Sequence, residues 1–274
     1  MKYKLMAMDM DGTLLNSSSR VSKRTYEALK KAEDKGVKIV LATGRLYKSA
    51  IYYAENLGLK NAIITSNGAL IHDIDGNIIY ENNLSDSSAL EIMETIEKYN
   101  LYYHLYTTDS VYSKTINKEI LSRYYADFEG NLIIGTNKFK EFQDILGNGN
   151  KFNKILVADN TDTREKLRAL EKDLLRIKGI EVTSSWVNNL EMMNKNVSKK
   201  TAVMYLCESL NINPEEVITI GDNENDIPMI EYAGLGIAMN NGLDIVKERA
   251  DYITDTNDND GVAKAIEKFI LGDE

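Results

Sequence analysis

Four times along this chain a short apolar run stops at a polar loop. LMAM stops at Asp9, KIVLA at Thr43, AIIT at Ser66, and VITI at Gly221-Asp222. Segments of helical period lie between the first three runs, the first capped by Ser22 and ending at Gly36, with Tyr26, Leu29 and Ala32 at helical spacing. Strands that alternate with helices pair in parallel through crossovers, which demands a doubly wound sheet covered on both faces. In such a sheet the loops leaving the strands gather at one carboxyl edge, where ligands bind.

The grammar changes after Gly68. ALIHDIDGNIIYEN reads as a hairpin turning at Asp75-Gly76. From Asp86 to Val187 the order becomes helix, strand, strand, helices, strand, helix, strand, the pattern of an inserted α+β domain. The alternation resumes near Leu190, and GLGIAM and ADYIT supply the last strands. The expected division is a core of residues 1–83 and 190–274, with 84–189 as the insertion. The insertion's tyrosines (Tyr102, Tyr103, Tyr106, Tyr112) and His104 suit sheet packing, and Cys207 suits a core helix face.

Composition removes several function classes. A formal net charge of −9 over 274 residues argues against a nucleic-acid backbone binder. No apolar run is long enough to span a bilayer, and Asp9 arrives too early for a secretory signal. The single cysteine precludes an internal disulfide framework, so the cytoplasm is the expected compartment. With only two histidines, both far in sequence from the acidic motifs, a histidine triad or zinc site is not expected.

What converges at the sheet edge is chemically specific. Asp9, Asp11 and Asp222 can surround one hard cation, and magnesium favours such oxygen ligands together with phosphate. Without a cation these carboxylates would repel one another. Lys199 brings a point charge, Thr43 and the Gly44 amide offer donors to phosphate oxygens, and Asn225 adds a neutral donor. This equipment suits phosphoryl transfer, in which one carboxylate attacks phosphorus and a second moves the proton. An Asx turn would explain Asp9 and Asp11 alone but not the other loops. A calcium EF-hand fails, because counting from Asp9 puts Leu14 at the glycine position and Arg20 at the glutamate position.

DMDGTLL, LATGR, SNGA, VSKKTA and GDNENDIPMI, in this order, resemble the successive motifs of the haloacid dehalogenase-like (HAD) hydrolases. The likeness is closest to the Cof-type sugar phosphatases, with a large α+β cap of the C2B type. It implies a Rossmann-like α/β core, magnesium, and a small phosphorylated metabolite as substrate. By that resemblance Asp9 is nucleophile and metal ligand, and Asp11 is general acid/base with a backbone carbonyl on the metal. Asp222 is the remaining metal carboxylate. Met10 (through its amide), Thr43, Gly44, Lys199 and Asn225 contact phosphate. Arg45, Asn67 and Asp226 are supporting or substrate-contact candidates. Lys200 departs from the pattern, standing where the family commonly has glycine. A phosphomutase and a non-catalytic sugar-phosphate sensor are the alternatives.

Overall fold

The computed structural model of the chain describes residues 2–125, 135–141, 143–146, 149–159, 164–185 and 188–272. Its strands are β1 (Leu5–Met8), β2 (Lys38–Ala42), β3 (Ile63–Thr65), β4 (Leu70–His72), β5 (Ile78–Glu81), β6 (Tyr102–Tyr106) and β7 (Ser110–Ser113). They continue as β8 (Gly135–Lys138), β9 (Lys154–Ala158), β10 (Ile180–Thr183), β11 (Asn189–Asn194), β12 (Val217–Gly221), β13 (Leu235–Ala238) and β14 (Tyr252–Ile253). They form an eight-stranded sheet in the order β14-β13-β12-β1-β2-β3-β4-β5 and a six-stranded sheet in the order β10-β11-β9-β6-β7-β8.

The first sheet is parallel from β14 to β3 and is completed by the antiparallel β3–β4–β5 meander. Strand alternation sends Met6, Met8, Ile39 and Leu41 to one face. There they meet Ala28, Leu29 and Ala32 of the helix Lys23–Asp34, which Ser22 caps by accepting from the Thr25 amide. Leu5, Ala7, Val40 and Ala42 point the other way, against Ala202, Val203, Leu206 and the buried Cys207 of the helix Lys199–Leu210. Burial on both faces is what makes these strands, Lys38 at the start of β2 apart, apolar in sequence.

The second sheet is two-faced. Tyr103, Leu105, Ile155, Val157, Leu190 and Met192 pack on the helices Asp86–Glu97 and Glu165–Leu174. The alternate positions, including His104, Tyr106, Lys154 and Glu191, lie on the opposite face and are buried as well. Strand β11 belongs to this sheet, pairing antiparallel with both β9 and β10. Residues 190–194, read from sequence as the start of the returning core, therefore run in the six-stranded sheet. The run LEMM, apolar but for Glu191, has no feature marking which sheet it joins.

His72 on β4 is buried and stacks on Tyr47 with ring centroids 4.0 Å apart. Burial lowers its pKa from 6.5 to about 4. The unfolded chain binds a proton that the native chain refuses over this window. His72 thus contributes stability fully above pH 6.5, which is lost as pH falls toward 4. In His72→Phe this contribution to the pH slope, up to about 3 kcal/mol across the window, is expected to disappear. Denaturant titrations at pH 7 and 5 check it, and an unchanged slope would refute it.

Candidate active site

Each predicted loop does leave the carboxyl end of a strand of the first sheet. Asp9 follows β1, Thr43 follows β2, Ser66-Asn67-Gly68 follows β3 and Asp222 follows β12. Two glycines let these loops touch. Gly12 takes φ +81°, and a Cβ there would meet Asp222 Oδ2 at 2.4 Å; Gly68 takes φ +98°, and its Cβ would meet the Ser198 carbonyl at 2.1 Å. The second contact seats the Asn67 loop on the first turn of the helix that carries Lys199.

Lys199, fully buried, donates to Asp9 Oδ1 at 2.5 Å and to Asp226 Oδ1 at 2.6 Å. Burial alone would lower its pKa, but Asp226 and Asp9 outweigh burial and raise it, so it stays charged. Asp226 Oδ2 accepts from the amides of Asp222 and Asn223, at 2.9 and 3.0 Å. Asp226 thereby fixes both the lysine and the loop that presents Asp222. Thr13 Oγ1 donates to Asp222 Oδ1 at 2.8 Å.

The expected cluster of Asp9, Asp11 and Asp222 carboxylates forms instead from Asp9, Asp222 and Asp226, with one oxygen of each within 4.8 Å of the others. Asp11 is drawn elsewhere, because the Arg45 guanidinium grips it with a fork: Nε to Oδ2 at 2.8 Å and Nη2 to Oδ1 at 2.7 Å. Arg45 is itself buried and donates through Nη1 to Ser49 Oγ at 2.9 Å. Burial raises the pKa of Asp9 to about 7, opposed by Lys199 and reinforced by Asp226 and Asp11. Burial and Asp9 raise that of Asp222.

The remaining candidates surround this cluster. The Met10 side chain packs into the core, so Met10 meets the site through its backbone alone. Thr43 Oγ1 accepts from the Arg45 amide at 3.1 Å. Asn225 donates to Asn67 Oδ1 at 3.1 Å, while its own buried Oδ1 has no partner among the described residues. Asn67 donates in turn to Glu191 Oε2 at 2.6 Å. Lys200 makes the first turn of the same helix as Lys199 without entering the cluster.

Two residues of the six-stranded sheet complete the site and were not singled out in the sequence. Lys154 donates to Glu191 Oε1 at 2.8 Å and to the Gly44 carbonyl at 2.7 Å. Both side chains are 1% exposed. The available signal was a charge inside an otherwise apolar strand, since lysine and glutamate are almost never buried unless paired. His104 lies behind them, its Nε2 2.6 Å from the Tyr106 hydroxyl, with its pKa lowered to about 3 by burial and Lys154.

The model of a family described as haloacid dehalogenase-like hydrolase matches residues 6–266. The Bacillus subtilis protein named 5-amino-6-(5-phospho-D-ribitylamino)uracil phosphatase YcsE is 35% identical over 269 residues, covering 98% of this chain and 96% of that one. A solved haloacid dehalogenase-like hydrolase from B. subtilis is 32% identical with a TM-score of 0.88, covering 98% of this chain and all (100%) of that one. The HAD subclass IIB sugar phosphatase BT4131 is 26% identical with a TM-score of 0.82, over 97% of this chain and 98% of that one. This chain belongs to the haloacid dehalogenase-like hydrolase family, as a phosphatase of the Cof type. Among its described residues no helix is long and apolar enough to cross a membrane.

Proposed function

We propose that the chain is a magnesium-dependent phosphatase of small phosphorylated metabolites, sugar phosphates first, working through an aspartyl-phosphate. The observation that carries this is Asp9, held by Lys199 beside Asp222, with a second carboxylate, Asp11, kept apart from the cluster by Arg45. Asp9 attacks phosphorus, and the P–O bond to the leaving group breaks as Asp11 gives that oxygen a proton. Water then attacks the phosphoryl group, Asp11 takes the water's proton, and the bond to Asp9 breaks, releasing phosphate. Lys199 balances charge on Asp9 and the transferring group. Thr43, the amides of Met10 and Gly44, and Asn225 position the phosphate oxygens.

The acidic cluster fits a hard divalent cation, since its donors are carboxylate oxygens and burial, reinforced by the neighbouring carboxylates, raises the pKa values of Asp9 and Asp222. Asp9, Asp222 and the Asp11 carbonyl would hold it. Bound there, magnesium would keep the carboxylates ionised and neutralise phosphate charge.

Residues 84–189, extended by β11 through Asn194, form the proposed cap over a core of 1–83 and the remainder of the chain. The cavity enclosed by Asp9, Asp11, Arg45, Ser185 and Glu191 is about 20 Å³. That is room for about one water and too little for a phosphate ester. Substrate entry therefore requires the cap to lift, and closure to exclude bulk water. The names of the relatives support two substrate classes, a sugar phosphate and a phosphorylated ribitylamino compound.

The test is a phosphate-release screen over phosphorylated sugars, sugar alcohols, nucleotides and cofactors, with and without magnesium. Binding without turnover would point to a sensor, and isomerisation primed by a bisphosphate with little phosphate release would point to a mutase. In the same assay Asp11→Asn is expected to lose roughly 10²–10⁴ in kcat, the scale of general acid–base catalysis. A near-normal rate would move the proton-transfer role to another group.

A further inference from the structure

The Lys154–Glu191 pair has a cost that stability does not explain. Burying two charges is expensive, and an apolar pair of similar volume usually serves a core as well or better. Here both side chains are 1% exposed, on adjacent strands of the cap sheet, and both reach across to core loops. Glu191 lines the same small cavity as Asp9 and Asp11. An ionised carboxylate has about four acceptor positions, and Lys154 and Asn67 occupy one on each oxygen.

We propose that Glu191 is the cap residue that recognises a hydroxyl of the leaving group next to the phosphoester, with Lys154 as its positioning partner. The proposal rests on the phosphatase reading above and adds the source of its selectivity. A carboxylate repels phosphate, so its use facing the nucleophile is to accept from a neutral donor. Lys154 cancels its charge, so the pair does not push an anionic substrate away. The same ammonium is anchored on the Gly44 carbonyl, and the Asn67 amide fixes the second oxygen of Glu191. These contacts orient the acceptor toward the cavity it shares with Asp9 and Asp11. An alcohol chain with hydroxyls near the ester satisfies it, whereas an alkyl chain leaves a buried charge short of donors.

The experiment compares kcat/KM for hydroxylated esters (ribitol 5-phosphate, sorbitol 6-phosphate, glucose 6-phosphate) with that for n-pentyl phosphate. Wild-type enzyme is expected to favour at least one hydroxylated ester. Glu191→Gln is expected to reduce that preference about 10- to 100-fold, the worth of a hydrogen bond to a charged group, with the loss mainly in KM. Because Glu191→Gln strands the Lys154 charge, the double variant Lys154→Met/Glu191→Gln is measured beside it with its melting temperature. Lost preference in a double variant that melts like wild type supports recognition. Preference retained in it, an equal loss on all esters, or no preference in wild type overturns the proposal. If none of these esters is hydrolysed, the sugar-phosphate part of the proposed function fails separately. Calorimetric binding of the same esters to Asp9→Asn, with and without Glu191→Gln, then decides the role of Glu191.

Discussion

Asp9→Asn is expected to remove phosphatase activity, by a factor of about 10⁴ or more, while the chain stays folded. An amide cannot form the phosphoaspartate, and removal of a nucleophile that acts together with its partners costs nearly the whole chemical step. The shape is preserved, since asparagine fills the same volume at the end of β1. Its Oδ1 can still accept from Lys199, at a site where Asp9 now sits 2.5 Å from the ammonium. The substitution also removes one of three crowded carboxylates, so the melting temperature in magnesium-free buffer should not fall. Single-turnover phosphate release and thermal unfolding check the two halves. Activity within tenfold of wild type would exclude Asp9 as nucleophile, and an unfolded variant would make its role structural.

Lys199→Met is expected to fail in both respects. Its ammonium is buried between Asp9 and Asp226, and these contacts hold it charged against the pull of burial. Methionine fills the space but leaves the carboxylates without their cation. Removing one partner of a buried pair costs about 3–5 kcal/mol, and activity should be lost along with charge balance at phosphorus. The double variant Lys199→Met/Asp226→Asn separates these effects. It should regain part of the melting temperature and none of the activity, because Asp226 holds the loop while in the proposed mechanism Lys199 acts on the phosphate. Recovery of activity in the double variant would show that Lys199 only neutralises Asp226. Magnesium should narrow the stability gap of the single variant, which a titration of melting temperature against the metal would show.

Local patterns along the chain carried the parallel sheet and its loops. Residues 39–42 (IVLA) and 217–221 (VITIG) are buried at every position and, Thr219 apart, carry no polar side chain, because helices cover both faces. The capping of the helix Lys199–Leu210 by Ser198 was equally local, with its reciprocal bonds to Thr201. Strand-end placement of Asp9, Thr43, Asn67 and Asp222 followed from the alternation, and the ordered motifs pointed to the family. Side-chain partners did not follow. Strand alternation would put Asp9 and Asp11 on one side, but β1 ends at Met8 and both lie in the turn beyond it. There Arg45, 34 residues on from Asp11, holds the second apart from the first.

What the sequence by itself determined is therefore the set of elements, the edge where their loops meet, and the kinds of group delivered there. These depend on periodicity, caps and glycines, which act within a few residues. Tertiary structure alone decided that Asp226 rather than Asp11 joins the carboxylate cluster, and that β11 pairs in the six-stranded sheet. It alone brought Lys154 and Glu191 onto Gly44 and Asn67, 110 and 124 residues away in the chain. Such pairings depend on which buried charges find each other once two sheets meet. That long-range selection has no period for the sequence to display.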